Sequence, residues 1–303
     1  MRYRPFGRSG LALSTLGLHL SREKLHKNHS LLQKLITTAL ENGINTYHFE
    51  SNDPKMLQAA AEVFSVVERK LLFVSVGAQE PALNADPAAY ALPALKERLR
   101  GAIKDSGLSW LDLLVFSEDG VALLPEDSLH FVKSLQRSKM LRYVAAEAEP
   151  ASMPAIIKSG HFDVIKTTFD IDSSWDKRRQ IDNAISREMN VMASGFFPEA
   201  YRKASDIIPP EARRGWFGAK PQNPLAGAGT HAFLHQTADW TPEELCLGYA
   251  LSQPSLACIF VDPNNCDHLE ALANVPERHL PPSVPAQIEM ARFNDRAPKS
   301  QAR

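Results

Sequence analysis

The sequence predicts an α/β fold, a (β/α)8 TIM barrel of eight parallel strands with a β-hairpin in front of it. Short apolar segments alternate with helical segments along most of the chain. These strand segments are continuously apolar, which is typical of parallel strands that are covered on both faces. An open doubly wound sheet would normally carry a glycine-rich phosphate loop after its first strand. The sequence has none there, because Gly7 and Gly10 fall inside the predicted hairpin.

Residues 1–20 predict the hairpin and the first barrel strand. Tyr3 and Phe6 precede the turn segment 7–10, and the apolar segment 11–13 follows it. Residues 15–20 then form a buried strand that ends near His19.

Strands and helices alternate from there to the end of the barrel. The first helix ends at Gly43, which is typical of a helix C-terminus. Thr241, Pro242 and Glu244 have the spacing of a capping box with proline in the first helical turn. The predicted barrel strands are residues 15–20, 44–49, 71–76, 111–116, 141–146, 162–167, 191–193 and 257–261.

We expect a single barrel domain over residues 1–280. Segment 196–240 is rich in proline and glycine and too long for an ordinary connection, which predicts a lid or an ordered excursion. Its stretch RRGWF, residues 213–217, would close over a ligand, form a subunit contact or pack as an ordinary loop. Residues 281–303 are polar and proline-rich, and this composition predicts a flexible C-terminal tail.

Composition excludes several classes of partner. A formal net charge of -1 gives no long-range field for nucleic acid or for an anionic membrane. The three cysteines have neither the spacing of a zinc site nor the even count of a disulfide framework. The first residues lack the apolar core of a signal peptide, and no apolar run reaches the length of a membrane span. We therefore expect a cytoplasmic protein.

Candidate functional residues lie where the predicted strands end, because that end of a (β/α)8 barrel carries its functional side chains. The stretch GINTYHFESND, residues 43–53, is the most polar of these strand ends. The candidates at this rim are His48, Glu50, Asp53, Ser117, Glu118, Glu147 and Lys166. They form either a rebuilt polar site or the ordinary solvated ends of strands.

Several chemistries fit these residue types. A desolvated Lys166 would form a Schiff base, whereas an ion pair with Glu147 or Asp170 would make it structural. Ser117, His48 and Asp53 are the residue types of a nucleophilic catalytic triad. Ser117 does not lie in a glycine-flanked nucleophile elbow. No HxH or HExxH spacing occurs near the histidines, so we expect no metal site.

An ordered set of segments resembles the aldo-keto reductases, specifically those that begin with a hairpin. The segments that carry the resemblance are MRYRPFGRSGLALSTLGL, GINTYHF, SGLSWLDLLVF, KMLRYVA, HFDVIK and LCLGYALSQPSLACIF. Together they run from residue 1 to about residue 274. The resemblance implies the barrel fold and a reduction of carbonyls by NADPH. In this family a tyrosine donates the proton, supported by an aspartate, a lysine and a histidine.

None of those four residue types stands at its matched position. The aspartate, tyrosine, lysine and histidine positions hold His48, Asp53, Val76 and Ser117. An aspartate is ordinarily ionised at neutral pH and cannot act as the proton donor. No tyrosine follows Tyr47 until Tyr90.

The positions that hold the family's cofactor are replaced as well. They carry His19, Glu147, Ala148, Lys166, Ser194, Asp262 and Pro263. An acidic side chain opposes a phosphate, and proline lacks the backbone N–H that would bind one. The resemblance therefore implies that NADPH, the family cofactor, binds weakly or not at all, and we expect no cofactor.

Three functions remain open at this point. The first is a barrel without reductase activity, a pseudoenzyme that binds a small molecule at the rim or a protein partner. The second is a lyase, isomerase or hydrolase that uses His48, Asp53, Ser117, Glu147 and Lys166. The third is a residual NADP-dependent oxidoreductase with other donors. Fold alone does not choose among them.

Overall fold

Eight parallel strands close into a barrel in the computed structural model, which describes residues 1–79, 81–202 and 231–296. The strands follow one another around the barrel in chain order, and the last pairs with the first. They are β3 (Leu16–Leu20), β4 (Thr46–Phe49), β5 (Phe73–Gly77), β6 (Leu111–Phe116), β7 (Leu141–Glu147), β8 (Val164–Thr168), β9 (Asn190–Ser194) and β10 (Cys258–Val261). The predicted (β/α)8 fold is therefore confirmed.

Helices cover the outside of the barrel. Those in the described ranges are α1 (Arg22–Leu25), α2 (His29–Glu41), α3 (Pro54–Phe64), α4 (Pro87–Tyr90), α5 (Leu92–Asp105), α6 (Glu118–Leu123), α7 (Glu126–Arg137), α8 (Met153–Ser159), α9 (Trp175–Ser186), α10 (Pro242–Leu251), α11 (Cys266–Asn274) and α12 (Ser283–Arg296). None of them is long and apolar enough to cross a membrane. Their apolar faces pack on the outward side chains of the strands in one continuous core.

The predicted hairpin forms from β1 (Tyr3–Pro5) and β2 (Ala12–Ser14). It seals the end of the barrel at which the strands begin. Phe6 is fully buried, and its ring lies 5.2 Å from that of Phe73 and 5.1 Å from that of Tyr143. These rings belong to an apolar cluster that fills the lower half of the lumen. The open end is consequently the one at which the strands finish, which we call the barrel mouth.

Local signals in the sequence set the ends of several helices. Gly43 adopts φ +76 after α2, a conformation that glycine reaches without steric cost. The Thr241 side chain accepts from the Glu244 N–H, and the Glu244 carboxylate accepts from the Thr241 N–H, so the predicted capping box begins α10. These ends determine where each strand starts and therefore which side chains reach the mouth.

The C-terminal segment differs from the sequence-based expectation. A flexible tail was expected from residue 281, whereas Ser283–Arg296 forms α12. Val284, Ile288 and Ala291 on this helix are fully buried. Their spacing of four and three residues places them on one helical face, which packs against the barrel although the segment as a whole is polar.

Segment 196–240 is described at its two ends. Short 3-10 turns occur at Glu199–Tyr201 and His231–His235, and Phe196 is buried beside the barrel. The predicted RRGWF contact at residues 213–217 lies outside the described residues.

Candidate ligand site at the barrel mouth

A polar cavity of about 110 Å3 lies inside the barrel just below the mouth; we call it the inner chamber. Strand register brings its walls together, because His19 pairs with His48 and Glu147 pairs with Lys166 on neighbouring strands. Residues that follow β5 and β6 close the remaining sides. The polar residues that line it are His19, His48, Glu50, Gln79, Asn84, Ser117, Glu147 and Lys166.

Lys166 and Glu147 form an ion pair across one wall. The Lys166 Nζ lies 2.6 Å from the Glu147 Oε1, and Lys166 is only 6% exposed. The second partner that the sequence left open, Asp170, instead accepts from the Asp172 N–H at 2.9 Å. A buried ammonium without a counter-ion would be strongly destabilising, and Glu147 supplies that counter-ion.

Two histidines form the opposite wall, with their ring centres 5.3 Å apart. The His48 Nδ1 lies 2.9 Å from the Ser75 Oγ. Burial, together with the charges of Lys166 and of a protonated His19, holds the pKa of His48 well below its ordinary 6.5. Burial and the Lys166 ammonium likewise lower the pKa of His19. Both imidazoles are therefore neutral at pH 7.

Asp53 does not line the chamber. Its carboxylate accepts from the backbone N–H groups of Lys55 at 2.9 Å and Met56 at 3.3 Å, which makes it the N-cap of α3. The Asp53 Oδ2 also lies 3.5 Å from the Arg22 Nε. The structure thus brings together His48, Ser117, Glu147 and Lys166 from the predicted site and leaves Asp53 outside it.

Ser117 lines the chamber and also caps a helix. Its Oγ accepts from the Gly120 N–H at 3.1 Å at the start of α6, and lies 3.2 Å from the Tyr90 hydroxyl. The catalytic triad considered from the sequence is not assembled, because the His48 Nδ1 is bonded to Ser75 and Asp53 is a cap elsewhere.

Gln79 is a lining residue that the sequence analysis missed. It is 4% exposed, and its Nε2 bonds to the Tyr90 hydroxyl and, at 3.2 Å, to the Asn84 Oδ1. Its Oε1 has no hydrogen-bond partner in the described part of the chain, and neither has the buried Nδ1 of His19. The sequence feature that could have identified Gln79 is its position two residues after the end of β5, at the mouth end of a barrel strand.

Gly77 lets the walls approach closely enough to form this chamber. A Cβ at this position would overlap the carbonyl oxygen of Glu50, which is backbone and cannot move aside cheaply. A residue without a side chain is therefore required where β5 passes the end of β4.

A second cavity of about 370 Å3, the outer chamber, opens at the mouth between β3, β8, β9 and β10. It shares His19 and Lys166 with the inner chamber, and Ser194 lies on its wall. At its edge the Lys24 Nζ lies 2.6 Å from the Asp262 Oδ2. Each of these charges therefore has a partner within the protein.

No cluster of three metal-ligating side chains occurs among residues 1–79, 81–202 and 231–296. The chemistry that the described mouth offers is therefore hydrogen bonding by neutral and paired groups around an enclosed polar space.

The solved structures that match this fold include two forms of one aldo-keto reductase. The holo form of an aldo-keto reductase from Bacillus halodurans matches with a TM-score of 0.70 and 16% identity, and the apo form matches with 0.66 and 16%. Each comparison covers 96% of both chains. This chain has the aldo-keto reductase fold. No protein-family model and no curated protein sequence matches it.

The orientation of Val76 matters because the resemblance matched this residue to the lysine of the aldo-keto reductases. Val76 is fully buried and belongs to the core between strands and helices. Its register partners Phe49 and Leu114 belong to the same core. Alternation along β5 turns Ser75 and Gly77 toward the lumen instead, and neither carries a charge.

Tyr90 carries a phenol that contacts Ser117, a residue of the chamber lining. Its hydroxyl donates to the Asn84 carbonyl at 3.1 Å and contacts Ser117 and Gln79, and the side chain is fully buried. Burial raises the pKa of Tyr90 above its ordinary value. The phenol thus lies behind the chamber wall and is not one of the lining residues.

Proposed function

We propose that this protein is a small-molecule-binding barrel that has lost the NADPH-dependent carbonyl reduction of the aldo-keto reductases. The observation that carries the proposal is the position of Asp53, matched to the family's tyrosine. Its carboxylate accepts from two backbone N–H groups as a helix cap, and Asp53 is not among the residues that line the chamber. A proton donor must reach the substrate, and a group held in this cap does not.

The Lys166–Glu147 ion pair supports the same proposal. By resemblance, these two residues stand where the family uses neutral side chains to hold the nicotinamide. Here a 2.6 Å ion pair fills that space and joins the walls of β7 and β8. A cofactor ring entering there would separate this pair and leave the buried Lys166 ammonium without its counter-ion, which is unfavourable.

A small molecule fits the mouth better than the protein partner that the sequence left open. Two of the lining residues, His19 and Gln79, have a buried atom without a hydrogen-bond partner among the described residues, and they border a cavity of about 110 Å3, which has room for a small molecule and not for a protein surface. For the second class of function, a lyase, isomerase or hydrolase at the rim, the pairing of Lys166 with Glu147 opposes the use of Lys166 as a free amine.

Carbonyl reduction is tested directly by following NADPH oxidation with a panel of aldehydes and ketones, with an active aldo-keto reductase as positive control. We expect no substrate-dependent oxidation above the rate without protein, because Asp53 is held as a helix cap and the Lys166–Glu147 pair occupies the positions that the resemblance matched to the nicotinamide site. The matched variant is Tyr90→Phe, which removes the phenol that contacts Ser117. Turnover by the wild-type protein that disappears in this variant would contradict the proposal and identify Tyr90 as the donor.

A further inference from the structure

We propose that the inner chamber binds a small, neutral, hydroxyl-rich molecule, a short polyol of a few carbon atoms, with Gln79 and His19 as its recognition residues. The inference rests on the proposed function, because it names the ligand class of the same cavity. Its support comes from which groups in the wall have partners and which do not.

The charged side chains of the wall already have ion-pair or hydrogen-bond partners within the protein. Lys166 is paired with Glu147 at 2.6 Å. The Glu50 Oε2 accepts from the Arg22 N–H at 2.9 Å and lies 3.4 Å from the Ser21 Oγ. An ionic ligand would therefore have to compete with pairs that exist, and would enter a confined space without a counter-ion of its own.

The groups that lack partners are neutral. The Gln79 Oε1 is an acceptor that needs a donor, and the His19 Nδ1 donates or accepts according to its tautomer. Buried polar atoms are nearly always hydrogen-bonded, and leaving one unpaired costs about 1–3 kcal/mol. Both atoms belong to residues that line the inner chamber, and a molecule bound there would supply the missing partner.

Hydroxyl groups match these requirements. Each hydroxyl donates once and accepts twice, so adjacent hydroxyls satisfy the Gln79 acceptor and the His19 nitrogen at the same time. The depressed pKa values of His19 and His48 keep this wall free of extra positive charge at pH 7.

The size of the chamber limits the ligand to a short molecule. Its volume of about 110 Å3 is several times the roughly 10–15 Å3 that admits a single water molecule. A chain of three to five carbon atoms with hydroxyl groups fits this space, whereas a dinucleotide does not.

Binding to the wild-type protein tests the ligand class in glycerol-free buffer. Saturation-transfer NMR and calorimetry would compare glycerol and erythritol with glycerate, which is anionic, and with 3-aminopropane-1,2-diol, which is cationic. We expect the neutral polyols to bind and the charged analogues to bind at least about tenfold more weakly, because the latter lack counter-ions. Failure of both polyols to bind, or equal or tighter binding of a charged analogue, would overturn the proposal.

A pair of variants tests the recognition residue. Gln79→Leu removes the unpaired acceptor, and we expect the affinity for erythritol to fall about three- to tenfold, the worth of one neutral hydrogen bond. Gln180→Leu on the outer helix α9 is the matched control and should leave affinity unchanged. Unchanged affinity in Gln79→Leu would overturn the assignment. The ligand comparison on the wild-type protein stands even if Gln79→Leu folds poorly.

The binding and oxidation measurements test the polyol inference and the proposed loss of carbonyl reduction independently of each other. Polyol binding is read from the ligand signal without NADPH, whereas reduction is read from NADPH oxidation. Polyol binding can therefore fail while reduction is still absent, and NADPH turnover can appear while polyols bind.

Discussion

Two of the candidate side chains at the strand ends act as helix caps. Asp53 begins α3 and Ser117 begins α6, each by accepting backbone N–H groups that a helix start leaves unpaired. Both side chains are thereby fixed by the fold. Within the described part of the chain, the chamber-lining side chains that have a buried atom without a hydrogen-bond partner are neutral ones, Gln79 and His19.

His48 should make stability depend on pH. Its pKa lies well below 6.5 in the folded protein, so below pH 6.5 the unfolded chain binds more protons than the folded one. The free energy of unfolding should therefore fall as pH drops, by up to about 1.4 kcal/mol per pH unit for one such group. Urea unfolding at about pH 7.5 and about pH 5.5 measures this loss.

The variant His48→Gln isolates this contribution. Its unfolding free energy should fall less between the two pH values than that of the wild-type protein, while the remaining effect of His19 persists. His130→Gln is the control, because that side chain is 73% exposed on α7. Identical pH dependence in His48→Gln and the wild-type protein would show that burial of His48 carries no such energy.

Only part of the site could be predicted at the scale of residues. The strand ends supplied His48, Ser117, Glu147 and Lys166, because a barrel brings such ends to one rim. Side-chain orientation was harder to predict, since the outward direction of Val76 can be assigned only when the register of β5 is known. The unpaired Gln79 oxygen depends on the geometry of the loop after β5, which no spacing in the sequence encodes.

Secondary-structure elements were predicted well where apolar periodicity is strong. All eight barrel strands occur within a few residues of their expected positions, and the capping box of α10 forms as predicted. Helix α12 was missed because its polar composition hides the three buried positions Val284, Ile288 and Ala291. Composition averages over a helix, whereas burial depends on one face of it.

Helix α12 should stabilise the barrel measurably. Ile288 is fully buried, so Ile288→Ala should lower the free energy of unfolding by about 2–5 kcal/mol through lost burial and a new cavity. Met290→Ala on the same helix removes a side chain that is 51% exposed and should change stability by less than about 0.5 kcal/mol. Equal effects of the two variants in urea unfolding would mean that α12 does not pack on the barrel.

At the scale of the whole molecule, the fold and the function depend on different residues. Eight strands, their outer helices and a hairpin plug reproduce an aldo-keto reductase fold at 16% identity. Such a barrel follows from repeated apolar strands and buried rings, which many sequences satisfy. Function depends on a few side chains at the mouth, and the fold alone does not determine what chemistry they perform. Its cytoplasmic location stays a prediction.

The most direct measurement of the central claim is a fluorescence titration of the full chain with NADPH at low ionic strength, beside an active aldo-keto reductase. With Lys166 paired to Glu147 and Lys24 paired to Asp262, the account predicts no saturable binding up to about 1 mM cofactor, a free energy weaker than about 4 kcal/mol. Saturable binding in the micromolar range would contradict it, because the mouth would then still contain a working dinucleotide site.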